Sequence, residues 1–216
     1  MKTLKNDWLI WIMLFIPFVF VAYCWNKLPD QIATHFDLEG NPNDYSSKAF
    51  GVLFMPALNI GMYFLFITLP MIDPRRKNYG LFSDKFKIIR TVLHIFLTFT
   101  FFLTTFYALG YKFNLSMLIM YGVLGLILVL GNYMGNMRPN FFIGIRTPWT
   151  LSNEEVWTKT HRLTAKLWVI STLIMVVAFP FLPHMDVIFM IYVGAISIVP
   201  IVYSYILYRK IAIEKP

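Results

Sequence analysis

The amino-acid sequence predicts an all-α, polytopic membrane protein. Three observations support this fold class: the composition, the apolar runs and the placement of the basic residues. Of the 216 residues, 58% are hydrophobic and only 14% are charged, and the mean hydropathy is +0.62. Soluble domains contain roughly 25% charged residues, and so few charges cannot cover a surface that faces water. An ordinary soluble domain is therefore excluded.

Six apolar runs are long enough to cross a membrane, which takes about 20 helical residues for roughly 30 Å of hydrocarbon. They cover residues 8–25, 49–72, 91–111, 113–137, 167–185 and 187–208. Lys2 and Lys5 precede the first run, as basic residues precede the hydrophobic region of a signal peptide, but no small-residue cleavage motif follows the run. We therefore expect a retained first span and six transmembrane helices arranged as three hairpins.

The basic residues between these runs predict the orientation. If the N-terminus is cytoplasmic, sixteen Lys and Arg residues lie inside, whereas only Lys27, Lys48 and Lys112 lie outside. Because basic loops are retained on the cytoplasmic side, this asymmetry places both termini in the cytoplasm. The net charge of +8 has the same origin, so we expect no direct contact with nucleic acid.

This topology divides the chain into two predicted regions. Residues 1–72 form an N-terminal hairpin with an extracellular loop at 26–48, and residues 73–216 form a four-helix region with a cytoplasmic loop at 135–166. We call the second loop the elbow. These two loops are the segments outside the membrane that are large enough to recognise a partner.

The 26–48 loop carries an alternating pattern, because Ile32, Thr34 and Phe36 are separated by single residues. Such alternation predicts a short strand that ends at the turn Gly40-Asn41-Pro42. The loop is acidic, with a net charge of −2, and suits a cationic extracellular peptide. The candidate ligand-binding residues are Asp30, His35, Asp37, Glu39 and Asp44.

A metal site is the alternative for the face that His35, Asp37 and Glu39 would share. Zinc accepts nitrogen and oxygen ligands, but a structural zinc site has four of them, and a solvated strand face explains the same residues. We therefore expect no metal and no cofactor. The single cysteine, Cys24, cannot form an intramolecular disulfide.

The elbow has the composition of a segment at the membrane surface. Pro148 disfavours helix at the preceding residue, and Ser152 with Glu155 forms a capping-box pattern that predicts a helix starting near Asn153. Its aromatic and basic residues suit either lipid headgroups or a docked protein. The candidate contact residues are Arg146, Thr147, Pro148, Trp149, Glu155, Trp157 and Arg162.

Arg146 distinguishes these two alternatives. A lipid phosphate needs only a point charge, whereas a two-pronged contact with a carboxylate or with backbone carbonyls needs the planar guanidinium. We predict the second role, in which Arg146 fixes the turn at Thr147-Pro148.

Polar residues within the apolar runs are few, and Asn59, His94 and Asn132 are the candidates at depth. His94 follows Arg90 by one helical turn, and no acid lies near it in sequence. These side chains are therefore expected to form hydrogen bonds between helices. Small residues spaced four apart, such as Gly131 and Gly135, predict close helix packing.

The segment Phe142-Ile143-Gly144-Ile145-Arg146-Thr147-Pro148-Trp149-Thr150-Leu151 resembles the signature of the SdpI family of bacterial membrane proteins. The 26–48 loop, with Leu28-Pro29-Asp30 and Gly40-Asn41-Pro42, resembles the uncharacterised domain that often precedes it. The resemblance implies a six-helix, non-enzymatic protein of the bacterial cell membrane. It also implies immunity to a secreted toxic peptide, and signalling by sequestration of a small winged-helix repressor.

Two other classes of function compete with toxin immunity. A transporter or exporter that confers resistance is disfavoured, because no run carries an acid or a base near its middle. A membrane enzyme would have to use His35, Asp37 and Glu39, or Glu154, Glu155 and His161. Neither cluster has a nucleophile, a base and a group that orients the base, so we expect no enzymatic activity.

Overall fold

The computed structural model describes residues 7–37 and 41–214, apart from the side chains of residues 212 and 214. Lys2, Lys5 and Lys215, which contribute to the orientation argument, lie outside these residues. In the described part of the chain, six helices are long and apolar enough to cross a membrane. They are α1 (Trp8–Cys24), α2 (Lys48–Ile72), α3 (Ser83–Ala108), α4 (Leu115–Met134), α6 (Glu154–Ala178) and α7 (Met185–Glu214). The prediction of an all-α, multi-pass fold is confirmed, whereas the hairpin arrangement and the side of each terminus stay predictions.

The helices do not coincide with the apolar runs. Helix α3 begins at Ser83 and α6 begins at Glu154, well before the runs at 91 and 167. Helix formation depends on capping and on local propensity as well as on hydropathy, so polar turns extend these two helices. A further short helix, α5 (Pro148–Ser152), lies within the elbow.

The strand predicted in the 26–48 loop is present as β1 (Gln31–Phe36), and it pairs antiparallel with β2 (Pro42–Ser47). Strand β2 was not predicted, because Pro, Asn, Asp and Ser are poor strand formers and are typical of turns. Pairing with β1 outweighs that local preference. The register shifts between Ala33 and Phe36, which marks an irregular pairing at the end of the hairpin.

The described residues form two compact units, of which the first takes in 7–37, 41–66 and 90–123. Its core packs side chains from α1, β1, α2, α3 and the segment between α1 and β1, namely Val21, Cys24, Leu28, Ile32, Val52 and Phe101. Ile32 anchors the hairpin to α2, because a Cβ on Gly51 would lie 2.5 Å from the Cβ of Ile32. Close approach of the strand therefore requires glycine there.

The second unit takes in residues 67–89 and 124–214. Helix α4 packs closely on α6, as the small residues predicted, because a Cβ on Gly131 would lie 2.8 Å from the Cβ of Trp168. At Gly135 the added Cβ would lie 3.4 Å from the Cβ of Ala165. Helix α6 also joins α7 through the hydroxyls of Thr172 and Tyr192, 2.6 Å apart.

One proline in α1 and one in α7 each free a backbone carbonyl, which a side chain from another helix satisfies. Pro200 of α7 has no N–H to bond the carbonyl of Ile196, which instead accepts the indole N–H of Trp168 at 2.9 Å. Pro17 of α1 similarly frees the carbonyl of Met13. Each proline thereby creates a specific contact between helices.

Candidate functional site

The elbow, in the second unit, is held by buried side chains that bond to the backbone. Asn140 is 0% exposed, and its Oδ1 accepts the N–H groups of Phe142 and Ile143 at 3.0 and 2.7 Å. Its Nδ2 donates to the carbonyls of Arg138 and Ile143 at 2.9 and 3.1 Å. One amide therefore uses its donors and acceptor to fix a non-helical turn after α4.

Asp73, which directly follows α2, bonds to the same turn. One of its carboxylate oxygens accepts the N–H of Phe141 at 3.0 Å and the hydroxyl of Tyr79 at 3.1 Å, and the other accepts the N–H of Arg75 at 2.7 Å. Burial, together with the Asp73 carboxylate, raises the pKa of Tyr79 above its ordinary value. The tyrosine thus stays a neutral donor that stabilises the buried carboxylate.

Two further side chains of the 73–82 segment also contact the elbow. Arg75 donates to the carbonyl of Leu151 at 2.9 Å, and its guanidinium lies 5.2 Å from the ring centre of Phe141. Asn78 donates to the carbonyl of Pro139 at 2.7 Å. The role of this segment was not predictable from the sequence, because the residues that Arg75 and Asn78 contact lie more than 60 residues away along the chain.

Gly144 and His161 form the closest contact of the elbow. Gly144 has φ +109, and a Cβ there would overlap Nε2 of His161 and lie 3.2 Å from its Cδ2. Nε2 accepts the N–H of Ile145 at 3.1 Å, so Nδ1 carries the proton and donates to the carbonyl of Trp157 at 2.8 Å. Only glycine combines this backbone conformation with this approach.

Two caps shape the chain between this contact and α6. Thr147 and Thr150 form a capping box that starts α5, with Pro148 at its first position. The predicted Ser152–Glu155 capping box is wrong. Ser152 is already helical as the last residue of α5, so the extended residue Asn153 caps α6 instead, accepting the N–H groups of Glu155 and Val156. The predicted helix start near Asn153 is confirmed.

The predicted contact residues divide into buried and exposed groups. Trp157 is 0% exposed, stacks on His161 with ring centres 4.0 Å apart, and donates its indole N–H to the carbonyl of Met137. Thr147 is 7% exposed, and its hydroxyl lies 3.0 Å from that of Ser204. Neither side chain therefore has a surface to offer to lipid or to a partner.

The other predicted residues of the elbow remain accessible. Arg146 is exposed and donates from Nη1 to the carbonyl of Phe141 at 2.9 Å. Trp149 is half-buried against Tyr205, with ring centres 5.0 Å apart. Pro148, Glu155 and Arg162 are exposed as well. The accessible residues surround a backbone that the buried ones hold rigid.

In the 26–48 loop, the predicted acids mostly bond within the hairpin. Asp37 accepts the N–H of Asn41 at 2.8 Å, and Asp44 accepts the N–H of Tyr45 at 2.8 Å. Asp30 is exposed and pairs with Lys48 at 3.2 Å. Glu39 lies outside the described residues.

His35, the remaining candidate of this loop, has its Nδ1 2.5 Å from the Oδ1 of Asn43. Within 7–37 and 41–214, no group of three or more His, Cys, Asp or Glu side chains could hold a metal ion.

The first unit contains a buried cluster that the sequence analysis missed. Arg90 pairs with Asp7 at 2.5 Å, and their side chains are 3% and 1% exposed. The hydroxyl of Tyr63 donates to Asp7 at 3.4 Å. No acid lies near His94 in sequence, and the acid of this cluster, Asp7, binds Arg90 from 83 residues away along the chain.

The other end of this cluster joins α1, α2 and α3, as predicted for Asn59 and His94. The distance from His94 Nδ1 to Asn59 Oδ1 is 2.6 Å, and Asn59 Nδ2 donates to the hydroxyl of Thr98 at 3.2 Å. Thr98 donates to the carbonyl of Met13 that Pro17 frees, at 3.3 Å. Hydrogen bonds thus connect the three helices inside the membrane.

Together, the six long apolar helices and the ordered elbow define a multi-pass α-helical protein of the cell membrane, whose exposed apolar side chains contact lipid. Comparison with known proteins gives a more particular result. Residues 136–204 match the SdpI/YfhL protein family, and residues 12–60 match a domain of unknown function (DUF1648).

A curated relative matches almost the whole chain. The chain is 27% identical over 212 residues to the Immunity protein SdpI of Bacillus subtilis (strain 168), across 96% of this chain and 98% of the relative. The resemblance to the SdpI family and to the domain that precedes it is therefore confirmed. No solved structure matches the chain.

Proposed function

We propose that this protein is a membrane immunity protein that protects its cell against a secreted toxic peptide. The observation that carries this proposal is the similarity to an immunity protein along 98% of that relative's length. A match of this extent includes both the 26–48 loop and the elbow, so it compares whole proteins rather than a shared helix pair.

The two loops suit two different roles. If all six long helices cross the membrane, the 26–48 loop follows one span and the elbow follows four, so they lie on opposite sides. The acidic hairpin is the candidate contact for a cationic peptide outside. The elbow, with Arg146 and Trp149 accessible on a fixed backbone, is the candidate contact for a small winged-helix repressor inside.

Complementation tests the immunity function directly. The chain would be expressed in a Bacillus subtilis strain that lacks its own SdpI, and survival would be measured against increasing doses of the sporulation-delaying toxin. We expect survival well above that of cells with an empty vector. A variant with residues 30–44 replaced by a neutral linker of equal length should lose protection at matched membrane levels. Equal survival of the wild type and the empty vector would contradict immunity to this toxin.

A repressor partner needs a separate measurement. Crosslinking from position 149 would be followed by identification of the captured protein, with and without toxin, in cells that express the chain. Capture of a winged-helix protein that increases with toxin would support sequestration. Crosslinking to lipid alone, whether or not toxin is present, would instead support a role for the elbow as a lipid anchor.

The buried ion pair favours a second candidate, a transporter or exporter that confers resistance. Ionisable groups inside membrane proteins commonly mark ion or proton pathways, and Arg90 with Asp7 is such a pair. Energy-coupled efflux of the toxic peptide would distinguish this function. Resistance that disappears on addition of an uncoupler, while toxin binding persists, would favour export over immunity by binding.

A further inference from the structure

Two side-chain atoms in the buried cluster of the first unit have no hydrogen-bond partner among residues 7–37 and 41–214. They are Nε of Arg90 and Nε2 of His94. The two residues are only 2% and 0% exposed. Hydrocarbon offers no water to such atoms, so they indicate either a strained arrangement or a small bound ligand.

The hydrogen bonds of the cluster determine which atom of His94 carries its proton. The carbonyl of Met13 can only accept, so the hydroxyl of Thr98 donates its single hydrogen there. Thr98 must then accept from Asn59, which places Nδ2 toward Thr98 and Oδ1 toward His94. Because Oδ1 only accepts, Nδ1 of His94 is protonated, and Nε2 presents a lone pair.

The two unpartnered atoms are chemically complementary. Nε of Arg90 can only donate, whereas Nε2 of this His94 tautomer can only accept. The residues are four apart in α3, so their side chains leave the same face of the helix. A water molecule can accept from the first atom and donate to the second, which supplies the two polar partners that a buried water needs.

We propose that Arg90 and His94 hold one ordered water molecule, and that this water makes His94 a proton-accepting site inside the membrane-embedded part of the first unit. Proton uptake forms one N–H bond at Nε2 and breaks one O–H bond of a hydronium ion from the surrounding water, which becomes a neutral water molecule; no bond within the protein breaks. The resulting imidazolium can donate to the same water, which has a second lone pair.

Arg90, one helical turn from His94, opposes a second positive charge there, and Asp7, which is paired with Arg90, offsets part of this repulsion. The titratable and charged groups that face the site are Asp7 before α1, Tyr63 on α2 and Arg90 on α3. Asp7 compensates Arg90, so proton uptake leaves the cluster with one positive charge rather than two. The guanidinium of Arg90 lies over the ring of Tyr63, 5.9 Å from its centre, and this contact holds Arg90 beside the site.

Nitrogen-15 NMR of the full chain in lipid nanodiscs tests the proposal, with labelled histidines assigned by substituting each one in turn. His161 is an internal control, because it has the same protonated Nδ1 but its Nε2 is occupied by the backbone N–H of Ile145. We expect both residues to show a non-protonated Nε2. Magnetisation should pass from water to Nε2 of His94 and not to that of His161.

Acidification provides a second, independent readout. We expect His94 to become doubly protonated, reversibly, at a pH where His161 keeps its tautomer and the protein stays folded. A protonated Nε2 on His94 at neutral pH would overturn the proposal. So would water transfer to His94 no stronger than to His161, or a His94 that takes up no proton before unfolding.

Discussion

Substitution of Gly144 by Ala tests whether the contact with His161 holds the elbow in place. The added Cβ would overlap Nε2 of His161, so the N–H of Ile145 would lose its acceptor. A buried donor left unsatisfied costs about 1–3 kcal/mol. A residue with a side chain at φ +109 adds roughly 1–2 kcal/mol of backbone strain. Gly144→Ala should therefore destabilise the protein by about 2–5 kcal/mol.

Thermal unfolding of the purified protein in detergent measures this effect. At roughly 2–4 °C per kcal/mol for a chain of this size, the midpoint should fall by roughly 4–20 °C. Gly125→Ala in α4 is the matched control, because nothing lies within 4 Å of its added Cβ. That variant should unfold at an unchanged or slightly higher temperature, since alanine favours helix more than glycine does.

A double-mutant cycle identifies the cause of the loss. If the contact with His161 is responsible, Gly144→Ala should cost less in a His161→Ala background than in the wild type, because the overlapping ring is gone. Equal costs in both backgrounds would attribute the effect to the backbone alone. Unfolding of Gly144→Ala at the same temperature as Gly125→Ala would refute the reasoning altogether.

Three other predictions concern packing, the elbow and topology. Trp168→Phe should lower the free energy of unfolding by about 1–3 kcal/mol, because the carbonyl freed by Pro200 loses its donor. The loss should be smaller in a Pro200→Ala background, and an equal loss in both backgrounds would contradict this role. Arg146→Lys should reduce protection at least several-fold in the toxin dose-response at matched membrane levels; wild-type protection would favour the lipid anchor. In a Cys24→Ala background, an impermeant thiol reagent on intact cells should label a cysteine at position 41 and not one at 154; the reverse would overturn the topology.

The spans were predictable because hydropathy is a local property of the chain. Each apolar run satisfies the length that hydrocarbon imposes, whatever its neighbours. Strand β1 was predictable for the same reason, since its alternation lies within one segment. Strand β2 was not, because its polar residues become a strand only through pairing with β1.

The interior of the candidate site could not be read from local patterns. Asp73 and Phe141 are 68 residues apart, and Asp7 and Arg90 are 83 apart. Nothing in either local segment specifies the other, because hydrogen-bond partners are chosen by how the helices pack. The capping error at Ser152 has a similar origin, since α5 already occupied the residue that the pattern assigned to the cap.

The signature of the elbow therefore combines two kinds of residue. Gly144 packs against His161, the hydroxyl of Thr147 lies beside that of Ser204, and Thr150 bonds to the backbone. These three residues hold the chain in one conformation. Arg146 and Trp149 lie between them in sequence and remain accessible. A rigid backbone that presents a guanidinium beside an aromatic ring is suited to recognition, because little conformational freedom is lost on binding. A flexible basic segment would contact lipid phosphates equally well without such hydrogen bonds. The internal hydrogen bonds of the elbow therefore favour the proposed protein partner.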